Sequence, residues 1–207
     1  KKGLETRLKK LQDSSRKDDV ITLRFAETLQ KNGELYVENL RDARVIDKYI
    51  CNGKENGTEW APSFVYHGFR YVEIKGYKNP TIDDFIGEVV SDEMEVIGSF
   101  ETSNPVINQV YRNAYWGILG NYKGLPVDCP QRNERMGWTG DAQVFIRTAS
   151  YNYNVNKFFE KWLDDMALNQ YENGAIPMVV PFEKGCPNIS AAWSDAVAIC
   201  TWQLYLS

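Results

Sequence analysis

The 207-residue sequence predicts a multidomain chain, all-β and then all-α, with an antiparallel β-sandwich domain over residues 1–98 and helical hairpins over residues 99–207. Three observations carry this reading. Between about Val20 and Gly98, short runs rich in Val, Ile, Tyr and Phe alternate with Gly-bearing turns, and no helical run intervenes. After about Phe100 the apolar period changes from that of a strand to that of a helix. The last helical run reaches the final residue without a stop signal, so the helical domain reads as truncated.

Taken in order, the opening KKGLETRLKKLQ is the least strand-like part. Leu4, Leu8 and Leu11 have helical spacing, but Lys and Arg crowd between them, and a solvated or poorly ordered end is expected. VITLRFAETL then alternates, KNGELYVENL opens on an Asn-Gly turn, and ARVIDKYICNG, SFVYHGFRYVEIKGY and EMEVIGSFET read as further strands. The single His, His67, falls in one of these strands, where a hydrogen-bonded structural role is expected.

In SNPVINQVYRNAYWGILGNYKG, Ser103 or Asn104 can cap a helix whose first turn holds Pro105. Val106, Val110, Ala114 and Ile118 then share one face. DAQVFIRTASYNY and VNKFFEKWLDDMALNQ read as the next helices, and SDAVAICTWQLYLS as another with Ser194 or Asp195 at its cap. Trp116, Trp162 and Trp202 sit at helical spacings with other apolar residues and are expected in the core, whereas Asp164 and Asp165 are expected to face solvent.

Composition narrows the function. A formal charge of −4 offers no basic face for nucleic acid or an anionic membrane, and no run of about twenty apolar residues is present to span one. Cys51, Cys129, Cys186 and Cys200 lack Cys-x-x-Cys spacing, so free thiols are expected, and no metal or other cofactor.

The stretch DCPQRNERMGWTGD, residues 128–141, sets five charged groups beside Met136 and Trp138, with Pro130 and Gly137 constraining the backbone. Charged side chains are rarely covered unless paired, because desolvating an ion costs several kcal/mol or more. Fixed charges of both signs around an aromatic residue therefore describe a pocket better than a solvated loop. A second loop, ENGAIPMVVPFEKGCPNISAAWSD, lies between the third and fourth helices, so the two loops are placed to line one end of a helical array.

With LP before it, YHGFRYVE upstream and AAWSDA downstream, DCPQRNERMGWTGDAQ resembles the bacterial α-L-rhamnosidases of glycoside hydrolase family 78, over roughly residues 20–207. The resemblance implies a β-sandwich ahead of the first hairpins of an (α/α)6 barrel. It also implies an inverting hydrolysis of terminal α-L-rhamnosyl groups from a rhamnosylated glycoside or polysaccharide. By position in the motif, Glu134 would be the general acid. Asp128, Arg132, Trp138 and Asp141 would shape the sugar subsite, and Trp193 would add an aromatic wall. A Glu beside Trp and Met is partly desolvated, which favours its protonated form. Carboxylates and guanidinium groups would hold hydroxyls, and indole faces would take the C–H surface and methyl of a 6-deoxy sugar.

In the family the general base is a Glu from a later barrel region, beyond these residues. Glu172 and Glu183 are local substitutes without a motif match. A non-catalytic carbohydrate-binding relative, or an α/α-barrel glycosidase for another sugar, would carry the same features. Neither a cytoplasmic nor a secreted or periplasmic location is marked in the sequence.

Overall fold

A computed structural model describes residues 3–8 (backbone), 16–54, 57–183, 185 and 189–207. The chain separates into two units, Lys1–Val90 with Pro130–Asn133, and Ser91–Cys129 with Glu134–Ser207.

The first unit is antiparallel β structure. Its strands are β1 (Gly3–Leu8), β2 (Val20–Ala26), β3 (Thr28–Leu29), β4 (Leu35–Tyr36), β5 (Ile46–Ile50), β6 (His67–Gly68), β7 (Tyr71–Lys75) and β8 (Phe85–Val89). They form sheets in the orders β6-β1-β8 and β5-β2-β7, with β3-β4 as a separate hairpin. In β2 the period-two pattern of VITLRFA buries Ile21, Leu23 and Phe25 and leaves Thr22 and Arg24 half-covered, as a strand with one core face requires. Arg24 stands in register with Glu73 of β7, and its Nη1 donates to Glu73 Oε1 at 3.0 Å. Phe85 of β8 packs against both apolar clusters centred on β2, which puts the two three-stranded sheets face to face as layers of a sandwich.

His67 is buried, with Nε2 2.9 Å from Asp47 Oδ1 and its ring stacked on Phe25 at 4.4 Å, a structural role in agreement with the expectation. The Asn32-Gly33 turn is also present, Gly33 taking a left-handed φ of 86° at the β3-β4 connection.

Several expectations for the β region fail. Gly3–Leu8 is not a loose end but a strand paired on both sides, to β6 and β8. GLETRL alternates as well as it fits a helix, and partners some 60 to 80 positions away decide between the two readings. Its partner β8, FIGEV, was not among the expected strands. Conversely, EMEVIGSFET forms no strand; its one ladder contact is an isolated bridge between Val96 and Tyr153. A Cβ at Gly98 would fall 1.7 Å from the Tyr151 carbonyl oxygen, so close backbone approach, not sheet pairing, fixes this segment.

The second unit holds α1 (Pro105–Asn121), α2 (Thr139–Asn152), α3 (Asn156–Leu168), a short α4 (Ala191–Ser194) and α5 (Ala196–Leu206). Asn104 caps α1, its side chain accepting from the Val106 N–H at 2.9 Å, with Pro105 in the first turn. Asp195 precedes α5 without a side-chain cap bond. Of the apolar face expected on α1, Ile118 is buried, Ala114 is half-buried, and Val106 and Val110 are 69% and 62% exposed. Trp202 is likewise 60% exposed, against expectation, while Trp116 is half-buried. Asp164 is exposed as expected; Asp165 is half-covered and paired with Lys161 one turn away.

The core of this unit gathers Ile118 from α1 and Tyr122 just after it, Ile146 and Ala149 from α2, Phe159 and Trp162 from α3, and Ala196 and Cys200 from α5. Burial pushes the Cys200 thiol up to about 12, so it packs as a neutral group. Cys51, Cys129 and Cys200 form no disulfide, and Cys186 lies outside the described residues. Among the described residues no helix is long and apolar enough to cross a membrane.

Trp162 anchors the helical core. It is fully buried, meets Phe159 edge to face at 5.9 Å, and donates its Nε1 hydrogen to the Val180 carbonyl at 3.0 Å. Trp162→Ala is expected to cost about 3–5 kcal/mol. Chemical denaturation measures this, and a loss below about 0.5 kcal/mol, the usual size of a surface change, would show that the core does not rest on this residue.

Candidate active site

The charged stretch follows α1 directly. Tyr122 and Pro126 form a backbone bridge, and Asp128 and Met136 form a second, with the Asp128 N–H on the Met136 carbonyl at 2.9 Å. Residues 128–136 thus form a closed loop. Its tip, Pro130–Asn133, groups with the β unit, where a Cβ at Gly68 would come 2.7 Å from the Gln131 Cβ. Cys129 and Arg135 flank the tip with left-handed φ values of 51° and 53°. Each such non-glycine residue costs of order 1–3 kcal/mol, a local strain that the surrounding fold must offset.

Beyond the loop, the backbone pairs with residues 178–180. Val180 N–H donates to Gly137 O, and Thr139 donates to Met178 O through both its N–H and its Oγ1, all within 2.9–3.0 Å. Gly137 is required here, because a Cβ would lie 2.2 Å from the Val180 oxygen. Thr139 opens α2, so the ladder fixes both the end of the charged loop and the start of the helix that carries Asp141.

These constraints bring acidic groups together. Asp128, Cys129 and Glu134 each place a potential ligand atom within 4.8 Å of the others, and the Cys129 thiol donates to Asp128 Oδ2 at 3.2 Å. These are the side chains that could hold a cation, though the set also works as an acid cluster without one. Glu134 Oε1 accepts from the Trp138 indole N–H at 3.0 Å, so Trp138 meets the carboxyl with its polar edge and not only as apolar surface. Burial holds the Asp141 carboxyl above the ordinary carboxylate range, and the charges of Asp128 and Glu134 add to the shift.

Beside the cluster lies a cavity of about 640 Å³, lined by Tyr122, Val127, Asp128, Asp141, Phe145 and Trp193, among others. Two acids with aromatic and aliphatic walls match the mixed polarity of a sugar ring. Of the residues singled out from sequence, Asp128, Asp141 and Trp193 line this cavity; Glu134 stands next to Asp128 and Trp138 is hydrogen-bonded to Glu134, but neither is among the lining residues. Arg132 is half-buried and belongs to the stretch that groups with the β unit. Glu172 and Glu183 are exposed and are not among the cavity's lining residues.

Among the lining residues that the sequence reading did not single out are Gly140 and Gln143. Gly140 lies against the Trp193 indole, and Gln143 donates to the carbonyl of Ala192, the residue before it. Both stand on α2, and only their spacing to AAWSDA through the fold reveals them.

Residues 95–207 match the bacterial alpha-L-rhamnosidase six-hairpin glycosidase domain, and residues 6–91 match the bacterial alpha-L-rhamnosidase concanavalin-like domain. The chain belongs to the bacterial α-L-rhamnosidase family. It is 43% identical over 190 residues to an alpha-L-rhamnosidase of Formosa agariphila, covering 90% of this chain and 20% of that protein. An alpha-L-rhamnosidase of an Alteromonas species is 40% identical over 189 residues, with the same coverage. The crystal structure of the Streptomyces avermitilis enzyme complexed with L-rhamnose superposes with a TM-score of 0.92 at 36% identity, covering 99% of this chain and 20% of that one. The chain therefore spans about a fifth of the length of these relatives.

The raised Asp141 carboxyl has a stability consequence with a definite sign. The folded state binds its proton more tightly than the unfolded state does, so the slope of stability against pH is negative where Asp141 titrates. Its contribution is favourable at low pH and is lost as the pH rises from its ordinary value of 3.8 through the folded one. Asp141→Asn is therefore expected to be more stable relative to wild type at neutral pH than in acid. Denaturation curves at a series of pH values check this, and a stability difference independent of pH would contradict it.

Proposed function

We propose that the protein carrying this chain is an inverting glycoside hydrolase that releases terminal α-L-rhamnose from a rhamnosylated glycoside or polysaccharide. The observation that carries the reading is the cavity bordered by Asp128, Asp141 and Trp193 beside the Glu134 carboxyl. Membership of a family whose relatives are named alpha-L-rhamnosidases, and a rhamnose complex in one structural neighbour, support this sugar.

In this reading Glu134 protonates the departing glycosidic oxygen. Its Oε1 accepts from Trp138, which orients the carboxyl and leaves the acid proton to the other oxygen. Asp128 and Asp141 hold sugar hydroxyls through charge-assisted hydrogen bonds, and Trp193 takes the apolar face of the ring.

The water-activating base is a different group. An inverting pair stands about 6.5–9.5 Å apart, and a retaining pair about 5–5.5 Å. The ligand atoms of Asp128 and Glu134 lie within 4.8 Å, closer than either arrangement needs to flank a sugar. With Glu172 and Glu183 exposed and off the lining, the base is assigned to residues of the whole protein outside these 207.

Glu134→Gln in the full-length protein is expected to lower kcat/KM by about 100-fold to 10,000-fold on rhamnosides with poor leaving groups. Activated aryl rhamnosides, which need little protonation, should lose far less. Equal losses on both substrate types would remove Glu134 as the acid.

A further inference from the structure

Gly140 is the second residue of α2, and its φ lies outside the left-handed region, so its own backbone does not call for glycine. Within a helix alanine is preferred to glycine. What excludes a side chain here is Trp193. A Cβ at position 140 would lie 2.5 Å from the indole Nε1, 2.6 Å from Cδ1 and 2.7 Å from Cε2. Ordinary contacts need about 3.5–4.0 Å. The five-membered ring of the indole thus rests directly on the bare Cα.

The backbone on either side of that ring is also tied down. Gln143, one turn along α2 from Gly140, donates from Nε2 to the Ala192 carbonyl. Ser194 Oγ donates to the Ile176 carbonyl at 2.6 Å. The indole N–H itself has no hydrogen-bond partner among the described residues, so the ring is positioned by its seat and by its neighbours' backbone and not by its own polar atom.

We propose that Gly140 and Gln143 are positioning residues that set where the Trp193 wall stands, and thereby how tightly the cavity holds a sugar ring. The inference rests on the reading of this cavity as the sugar subsite. Both residues line the cavity together with Trp193. An alanine at 140 must push the ring outward by about 1 Å, and a gap or overlap of that size forfeits much of a dispersion contact. The acid cluster is not touched by this shift, so the cost falls on binding.

The test is a double-mutant cycle in the full-length protein, read as L-rhamnose affinity by calorimetry and as the split between KM and kcat on an aryl rhamnoside. Trp193→Ala and Gly140→Ala are each expected to weaken binding on the order of tenfold, roughly the worth of one aromatic contact, and to raise KM with kcat little changed. Adding Gly140→Ala to Trp193→Ala should then weaken binding no further, because the seat has lost what it seats. Gln143→Ala, which introduces no clash, is run in the same two backgrounds, so the cycle remains readable if Gly140→Ala does not fold. Its effect should also vanish in Trp193→Ala. Multiplying effects in the double variants, unchanged affinity in the single variants, or equal losses in kcat and kcat/KM would overturn the positioning role while leaving the functional reading intact. A full-length wild type that binds no L-rhamnose would overturn the functional reading itself and this inference with it.

Discussion

The short ladder between residues 137–139 and 178–180 is the constraint on which the rest of the helical unit depends. It is made of few hydrogen bonds, but each end is anchored in the core. On one side, the Val180 carbonyl receives the indole N–H of the fully buried Trp162. On the other, Thr139 is itself fully buried and begins α2. A buried hydrogen bond is expensive to leave unmade, so the ladder cannot shift without uncovering polar groups in an apolar setting. The register of α2 is fixed as a result, and with it the directions of Gly140, Asp141 and Gln143. Ser194 extends the same restraint to α4 through the Ile176 carbonyl.

That rigidity explains how the unit tolerates an arrangement which is locally unfavourable. Asp128, Glu134 and Asp141 repel one another when ionised, and left-handed backbone at Cys129 and Arg135 flanks the loop that presents them. Neither feature helps folding. Both persist because the bridge at Asp128 and Met136 and the ladder beyond it overdetermine the loop. The product is an acid, Asp141, whose affinity for a proton is raised where it lines the cavity. The indole N–H of Trp138 then selects one oxygen of Glu134 as acceptor.

Much of this was legible in the sequence, for identifiable reasons. β2 and α1 declared themselves through local signals, a period-two run and an Asn-Pro start, which need no knowledge of the fold. The density of charge around Trp138 and the match to AAWSDA pointed to the two loops, and the cavity lining includes residues of both. What was hidden depended on partners distant in sequence. Gly3–Leu8 becomes a strand through β6 and β8, and Gly98 is held by an approach to Tyr151 that no local pattern encodes. Gly140 carries no local sign of its role, because the indole that excludes its side chain comes from a residue more than fifty positions later. The exposed Val106, Val110 and Trp202 show the converse: helical spacing locates an apolar face, but not what covers it.

The central claim is that the cavity bordered by Asp128, Asp141 and Trp193 takes the sugar with Glu134 at its edge. A crystal structure of the full-length protein with L-rhamnose tests it most directly. The account predicts the ring in that cavity, its hydroxyls within hydrogen-bond distance of Asp128 and Asp141, and an apolar face against the Trp193 indole. L-rhamnose bound elsewhere, with these three side chains away from it, would contradict the account.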